Sequence, residues 1–373
     1  MSEQTQLLSP VAGRSASATN DGPPRLGRIV LEVRQSAARW QQVAVLLCSV
    51  MLGLTVSALI LVISGVPASK LLEEFVLLTL LDPQSLQAVL VQSAPLTLAA
   101  LSAAVAIKSR FWNIGIEGQM IWGGIAATFI AVNEIGPADL RILVMLVAAV
   151  SAGACWALLA LWFKRVFNVN EVLSTLMMNY LAMYLLFHLL TYQWTDPVDR
   201  VAHSRPFLDY ERLPGIGSID GALLVAIAVT ALAWWFLSMS RVGFMLRCLQ
   251  ANEKMAGLVG LPVLLLTVVA VGFSGAVAGI AGVVVTTEIQ GRLTTEFFVG
   301  YGFSGILIAF LARNHPLAAA FVAFLFSTLV IAGQSLQVFY HIPFAMVQLI
   351  QALVVMCVAA SEFFIRYRII VVR

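Results

Sequence analysis

Apolar runs of about 18 residues or more, separated by short polar connections, recur from near Gln41 to the region of Ala360. A run of that length spans the roughly 30 Å hydrocarbon core of a bilayer as a helix. Helices and closed barrels alone satisfy their own backbone there, so this pattern restricts the chain to an all-α polytopic membrane protein. Composition agrees: 60% of residues are hydrophobic and 11% charged, against about 25% charged in soluble domains. A large soluble enzyme is excluded on that ground.

The pattern predicts ten spans, at 42–63, 86–107, 119–134, 141–163, 172–193, 219–239, 263–287, 297–312, 316–333 and 343–361. With an even number of crossings and the N-terminus inside, sixteen of the 22 Lys and Arg fall on the cytoplasmic side and six outside. That is the bias of the positive-inside rule. Changing the count by one reverses it. Both termini are therefore expected in the cytoplasm of a cell with an inner membrane. The expected domains are a cytoplasmic segment 1–40, a membrane domain 41–363 and a short basic tail 364–373.

Residues 1–24 are rich in Ser, Ala, Thr, Gly and Pro and read as disordered. With the first apolar run starting near Gln41, no signal peptide is expected. Arg25, Arg28, Arg34 and Arg39 among apolar residues suit either an interfacial helix or a basic linker over 24–40. The four cysteines have no CxxC spacing, so they read as small apolar packing residues. His188, His203, His315 and His341 form no ligand-spaced set, and no metal site is expected. The chain contains no GxxxxGK[ST], HExxH or GxSxG motif, which leaves it without the means to hydrolyse ATP by itself. A membrane-embedded enzyme would need a nucleophile or metal constellation, and none is seen. Nothing points to nucleic acid.

Two of the spans are short, about 16 residues or ~24 Å. The first follows FWNIGIEGQMIWGG (111–124), with Asn113, Gly115, Glu117, Gly118 and Gln119. The second contains FVGYGFSGILIA, with Gly302, Ser304 and Gly305. As the third and eighth of ten, they would cross in opposite directions. Short glycine-interrupted segments at matching positions of two inverted halves point to a transporter's solute path and to a five-plus-five inverted repeat. Glu117 has three readings: a pore group, an interfacial acid, or a partner for Lys108 or Arg110. Burying it without a partner is costly. Asn113 and Gln119 read as interhelical glue. NEVLSTLMMNYLA sets Glu171, Ser174, Thr175 and Asn179 on one side of the fifth span. Such a stripe must bond a neighbouring helix or face water. The segment 240–262 is long for a connector and suits a docking helix. The outer loop 194–218 could act as plug, docking surface or tether.

FWNIGIEGQM, NEVLSTLMMNYLA, ANEKMAGLVGLPV and FFVGYGFSGILIAFLARNHPL together closely resemble the permease subunits of bacterial ABC importers for nucleosides and simple sugars. The resemblance runs from about Ser85 to Ala360. It implies a second permease subunit in a heterodimer, a cytosolic ABC ATPase that uses ATP and Mg, and a periplasmic or lipid-anchored solute-binding protein. It implies alternating access, with no cofactor in this chain. Asn113, Gly115, Glu117, Gly118 and Gln119 match the signature near the translocation path, where Asn179, Gly302, Ser304 and Gly305 are expected too. Asn252, Glu253, Lys254, Ala256, Gly257, Gly260 and Pro262 match the segment that seats on the ATPase. Relatives often carry an acid where this chain has Ser304, which bears on substrate or on packing. A nucleoside is the first expectation for the solute, a simple sugar the second. The alternative reading is an ion-coupled secondary transporter acting without an ATPase.

Overall fold

The computed structural model describes residues 28–33, 39–67, 70, 79–195, 201–217, 219–297 and 300–372. The predicted disorder at 1–24 lies outside them. Among the described residues, seven helices are long and apolar enough to cross a bilayer. Three shorter apolar helices, Ile116–Val132, Thr295–Leu311 and Ala345–Ser361, stand beside them. These match the ten expected spans, and the chain is a multi-pass, all-α membrane protein.

Two helices form the centre. The first, α2 (Pro83–Lys108), follows α1 (Arg39–Ile63). It starts at Asp82, whose Oδ2 accepts from the Ser85 backbone N–H at 2.8 Å, with Pro83 in the first turn. Every residue from Gln92 to Ala106 is buried. Its small-residue stretch SAPLTLAALSAAVA offers no polar face, so protein surrounds it on all sides. The second central helix, α9 (Val263–Val284), continues as a single π turn, Val285–Ile289.

Around this pair stand α3 (Ile116–Val132), α4 (Arg141–Phe167), α5 (Glu171–Tyr192) and α6 (Gly221–Ser238). Two short helices, α7 (Arg241–Ala251) and α8 (Glu253–Leu258), precede α9. After it come α10 (Tyr301–Leu311), α11 (Pro316–Tyr340) and α12 (Phe344–Arg366). The packing is crossed. Helix α2 of the first half lies on α10 and α11, while α9 of the second half lies on α3 and α4.

Small residues set the close contacts, as is usual where lipid supplies no hydrophobic drive between helices. A Cβ at Gly282 would strike the Met120 carbonyl of α3, and one at Gly279 the Ala149 carbonyl of α4. Likewise, a Cβ at Gly305 of α10 would lie 2.5 Å from the Ala99 Cβ of α2.

One local expectation is corrected. Within 24–40, Arg28–Val33 is neither helix nor linker but a strand, β1. It pairs antiparallel with β2 (Tyr367–Val372), inside what was expected to be a simple basic tail. RIVLEV and YRIIVV are rich in β-branched residues, which favour a pleated ribbon over a helix. The pairing brings the two ends of the described chain together, which is compatible with an even number of crossings.

Candidate functional site

The signature residues form a closed hydrogen-bonded joint. Asn113 Oδ1 accepts from the Gly115 backbone N–H (3.1 Å) and from Gln119 Nε2 (2.9 Å). Asn113 Nδ2 donates to Gln119 Oε1 (3.1 Å) and to Ser274 Oγ of α9 (3.0 Å), and Ser274 lies 2.9 Å from Ser102 Oγ of α2. The polar stripe of α5 grips the same loop. Asn179 Oδ1 accepts from Gly118 N–H (2.9 Å), its Nδ2 donates to the Ile114 carbonyl (2.9 Å), and Thr175 Oγ1 accepts from Ile114 N–H (3.3 Å). Of the two readings left open for that stripe, interhelical bonding is the one found. Glu171 at its start pairs with Lys164 at 3.1 Å.

Glu117 is 1% exposed. Its Oε1 accepts from Gly300 N–H (3.1 Å) and its Oε2 from Gly302 N–H (2.5 Å). The expected pairing with Lys108 or Arg110 is corrected: Arg110 donates instead to the Gln250 and Ala251 carbonyls at the end of α7. Glu117 caps α10, an 11-residue helix of about 16 Å that begins partway along α2, between Gln92 and Ala99. The first N–H groups of a helix have no partners of their own and carry its positive end. A carboxylate from the opposite half answers both needs. Gly300 makes the turn into α10 at φ 83°, a conformation that favours glycine. At Gly302 a Cβ would come within 2.6 Å of the Glu117 backbone nitrogen.

Beside the joint lies a cavity of about 1020 Å³. Glutamine dominates its polar lining. Gln84 and Gln87 come from α2, Gln334 and Gln337 from α11, and Gln348 and Gln351 from α12. No hydrogen bond to the described residues engages these six amides. Gln92 and Gln290 complete the set. Gln92 Nε2 donates to the Tyr301 hydroxyl at 3.0 Å, and Tyr301 and Ser304, from the first turn of α10, also face the cavity. Asp220, Glu288 and Glu296 contribute carboxylates.

Of the expected path residues, only Ser304 lines this cavity; Asn113, Gly115, Glu117, Gly118, Gln119, Asn179, Gly302 and Gly305 do not. The glutamines were missed in the sequence although a signal was there. In three separate apolar spans, two glutamines stand three residues apart and so share a helix face.

At the end where α2 begins, the described loop 201–217 is strapped down. Arg205 forks onto Glu211 (2.8 Å to each oxygen) and also donates to the Ala131 carbonyl, while Arg141 reaches Glu211 at 3.3 Å. Burial pushes the Glu211 carboxyl up, but the Arg205 fork, the Leu208 N–H and Arg141 outweigh it and hold it below the usual carboxylate range. Leu213 N–H donates to Glu288 at 2.7 Å, and Ser204 and Leu293 exchange two bonds of 2.9 Å. The loop is thereby tied to the cavity wall.

At the opposite end, Asn252 Oδ1 caps α8 by accepting from Met255 N–H at 3.2 Å. Ala256 is buried against Leu246, Leu249 and Leu266. Glu253, Lys254 and Pro262 are exposed, and both Gly257 and Gly260 have open space where a Cβ would stand. Leu258 is 81% and Val259 76% exposed, an apolar tip beyond the end of α2.

The model of the family described as "Branched-chain amino acid transport system / permease component" matches residues 85–359. A glucose ABC transporter permease of Haloferax volcanii is 30% identical, with 91% of this chain and 93% of that protein covered. A guanosine ABC transporter permease of Bacillus subtilis is 28% identical over 87% of this chain and 94% of its own length. A nucleoside ABC transporter permease of Lactococcus lactis subsp. cremoris is 25% identical over 78% and 83%. With its crossed ten-helix body, its α10 capped from the opposite half and these relatives along most of its length, the chain belongs to this family and is a permease subunit of an ABC transporter.

Proposed function

We propose that this chain is one of two membrane subunits of an ATP-driven importer for a small polar solute, a nucleoside first and a simple sugar second. The observation that carries the reading is the cavity walled by paired glutamines in a permease of this family. A membrane protein keeps polar groups within its spanning helices for a water-filled path or a partner, and amides offer both donors and acceptors to an uncharged base or sugar. Relatives named for guanosine and for glucose support both solute choices. The family implies an ATPase and a solute-binding protein as partners. The second permease makes a heterodimer and completes the path.

ATP and Mg act in the partner ATPase. Closure of its two domains pushes on α8, whose Leu258 and Val259 would be covered on docking. Arg110, which bonds the end of α7 and follows α2, carries that push toward the joint. Because Glu117 fastens α10 to α3, the two halves then move as packed bodies, opening the cavity to alternate sides. Both termini lie in the cytoplasm, and the membrane is the bacterial inner membrane.

The test is reconstitution of the complete transporter in liposomes with a panel of radiolabelled nucleosides and hexoses. ATP-dependent accumulation of a nucleoside is the expected result. Uptake by this chain alone on a proton or sodium gradient, without ATP, would overturn the proposal in favour of a secondary transporter.

A further inference from the structure

The cavity is one-sided in charge. Asp220, Glu288 and Glu296 lie in its wall, and among the described residues no Lys or Arg does. Two arginines stand beside the wall without entering the lining: Arg292 faces the ring of His203, and Arg212 lies against Gly291, near enough to Glu288 to offset part of its charge. The other feature that attracts anions inside a membrane protein is the N-terminus of a broken helix. That feature is present here, at α10, but two of its leading N–H groups, on Gly300 and Gly302, already serve Glu117. The remaining polar lining is neutral amide. A low-dielectric cleft lined by one sign of charge focuses its field and enriches counter-ions by roughly tenfold to a thousandfold.

We propose that this subunit itself selects solutes by charge: its cavity admits uncharged and cationic polar solutes and turns away phosphorylated anions. Phosphomonoesters of the same sugar or nucleoside are refused by the permease as well as by any upstream binding protein. The inference rests on the reading of this cavity as the solute route. It assigns specificity to Asp220, Glu288 and Glu296 as a set, with Glu117 occupying the N-terminus of α10 and Asp220 Oδ1 that of α6, where it accepts from Ala222 N–H at 2.8 Å.

Gln334 and Gln348 are exposed within the cavity lining and suit cysteine probes. In a background with the four native cysteines replaced, Gln334→Cys and Gln348→Cys are made separately in the assembled transporter. Each is reacted with 2-(trimethylammonium)ethyl methanethiosulfonate and with 2-sulfonatoethyl methanethiosulfonate, and rates are normalised to a free thiol in solution. The cationic reagent is expected to react at least about tenfold faster at whichever position yields folded protein, with the ratio falling when Glu296→Gln is added. Complete modification is expected to stop ATP-driven nucleoside uptake. A ratio at or below one overturns the charge filter, and the cavity remains the route if uptake still stops. Undiminished uptake after complete modification overturns the route itself and the filter with it.

Discussion

The Glu117 joint and the glutamine cavity meet at Tyr301, yet they handle buried polarity in opposite ways. In the joint, Asn113, Glu117, Gln119 and Asn179 engage their side-chain groups with one another, with Ser274 or with backbone N–H and C=O groups. In the cavity, six glutamine amides carry no bond to the described residues. Satisfied polar groups fix a geometry; unspent ones can bind. The conspicuous motif of the sequence is thus a fastening between the two halves, and the inconspicuous glutamines are the surface we propose for cargo.

The largest expected effect breaks the fastening. Glu117→Ala leaves the N–H groups of Gly300 and Gly302 without their acceptor in a buried setting, at about 1–3 kcal/mol each. Accumulation in the membrane and melting temperature in detergent should both fall sharply, with Glu117→Gln recovering part by keeping one acceptor. A Glu117→Ala protein that melts normally and fails only in transport would make Glu117 a path residue.

Next comes the packing that the joint relies on. Gly282→Ala forces a methyl into the Met120 carbonyl and should cost about 1–3 kcal/mol in stability. Gly272→Ala, where the nearest atom is 3.8 Å away, is the matched control and should be close to neutral. Equal losses in the two would refute close backbone approach as the reason for Gly282.

The cavity should respond in the opposite sense. The double variant Gln334→Ala, Gln337→Ala removes two amides worth about 1 kcal/mol each to a bound solute, so uptake at low solute should drop by roughly thirtyfold at unchanged melting temperature. A loss of stability without a loss of uptake would return these residues to a structural role.

The smallest effect concerns the strap. The Glu211 carboxyl lies below its usual value when folded, so its contribution is present above the unfolded value of about 4.3 and is lost as pH falls through the depressed folded value. Proteolytic protection of the 201–217 loop should therefore weaken only in acid. Glu211→Gln should remove that pH dependence; a loop that loosens between pH 6 and 8 would contradict it.

The ten crossings and the two short spans were legible because each depends on hydrophobic length and spacing along the chain. Boundaries were close: 119–134 was expected and Ile116–Val132 is found. The eighth span was read as a short helix over 297–312, but its α-helical part is only Tyr301–Leu311. The turn at Gly300 depends on an acceptor 183 positions away in the chain. For the same reason Lys108 and Arg110, close by in sequence, looked like the natural partners of Glu117. The strand β1 escaped notice because its partner lies at the other end of the chain.

The sequence by itself determined that this chain crosses a membrane many times and carries a permease signature, since apolar length and local motif suffice for both. Only the tertiary structure decided what FWNIGIEGQMIWGG does. A carboxylate's role follows from what it touches, and Glu117 touches the start of a helix in the other half. The glutamines were visible as spaced pairs on three helices, but a common cavity exists only once the crossed halves bring α2, α11 and α12 to one wall.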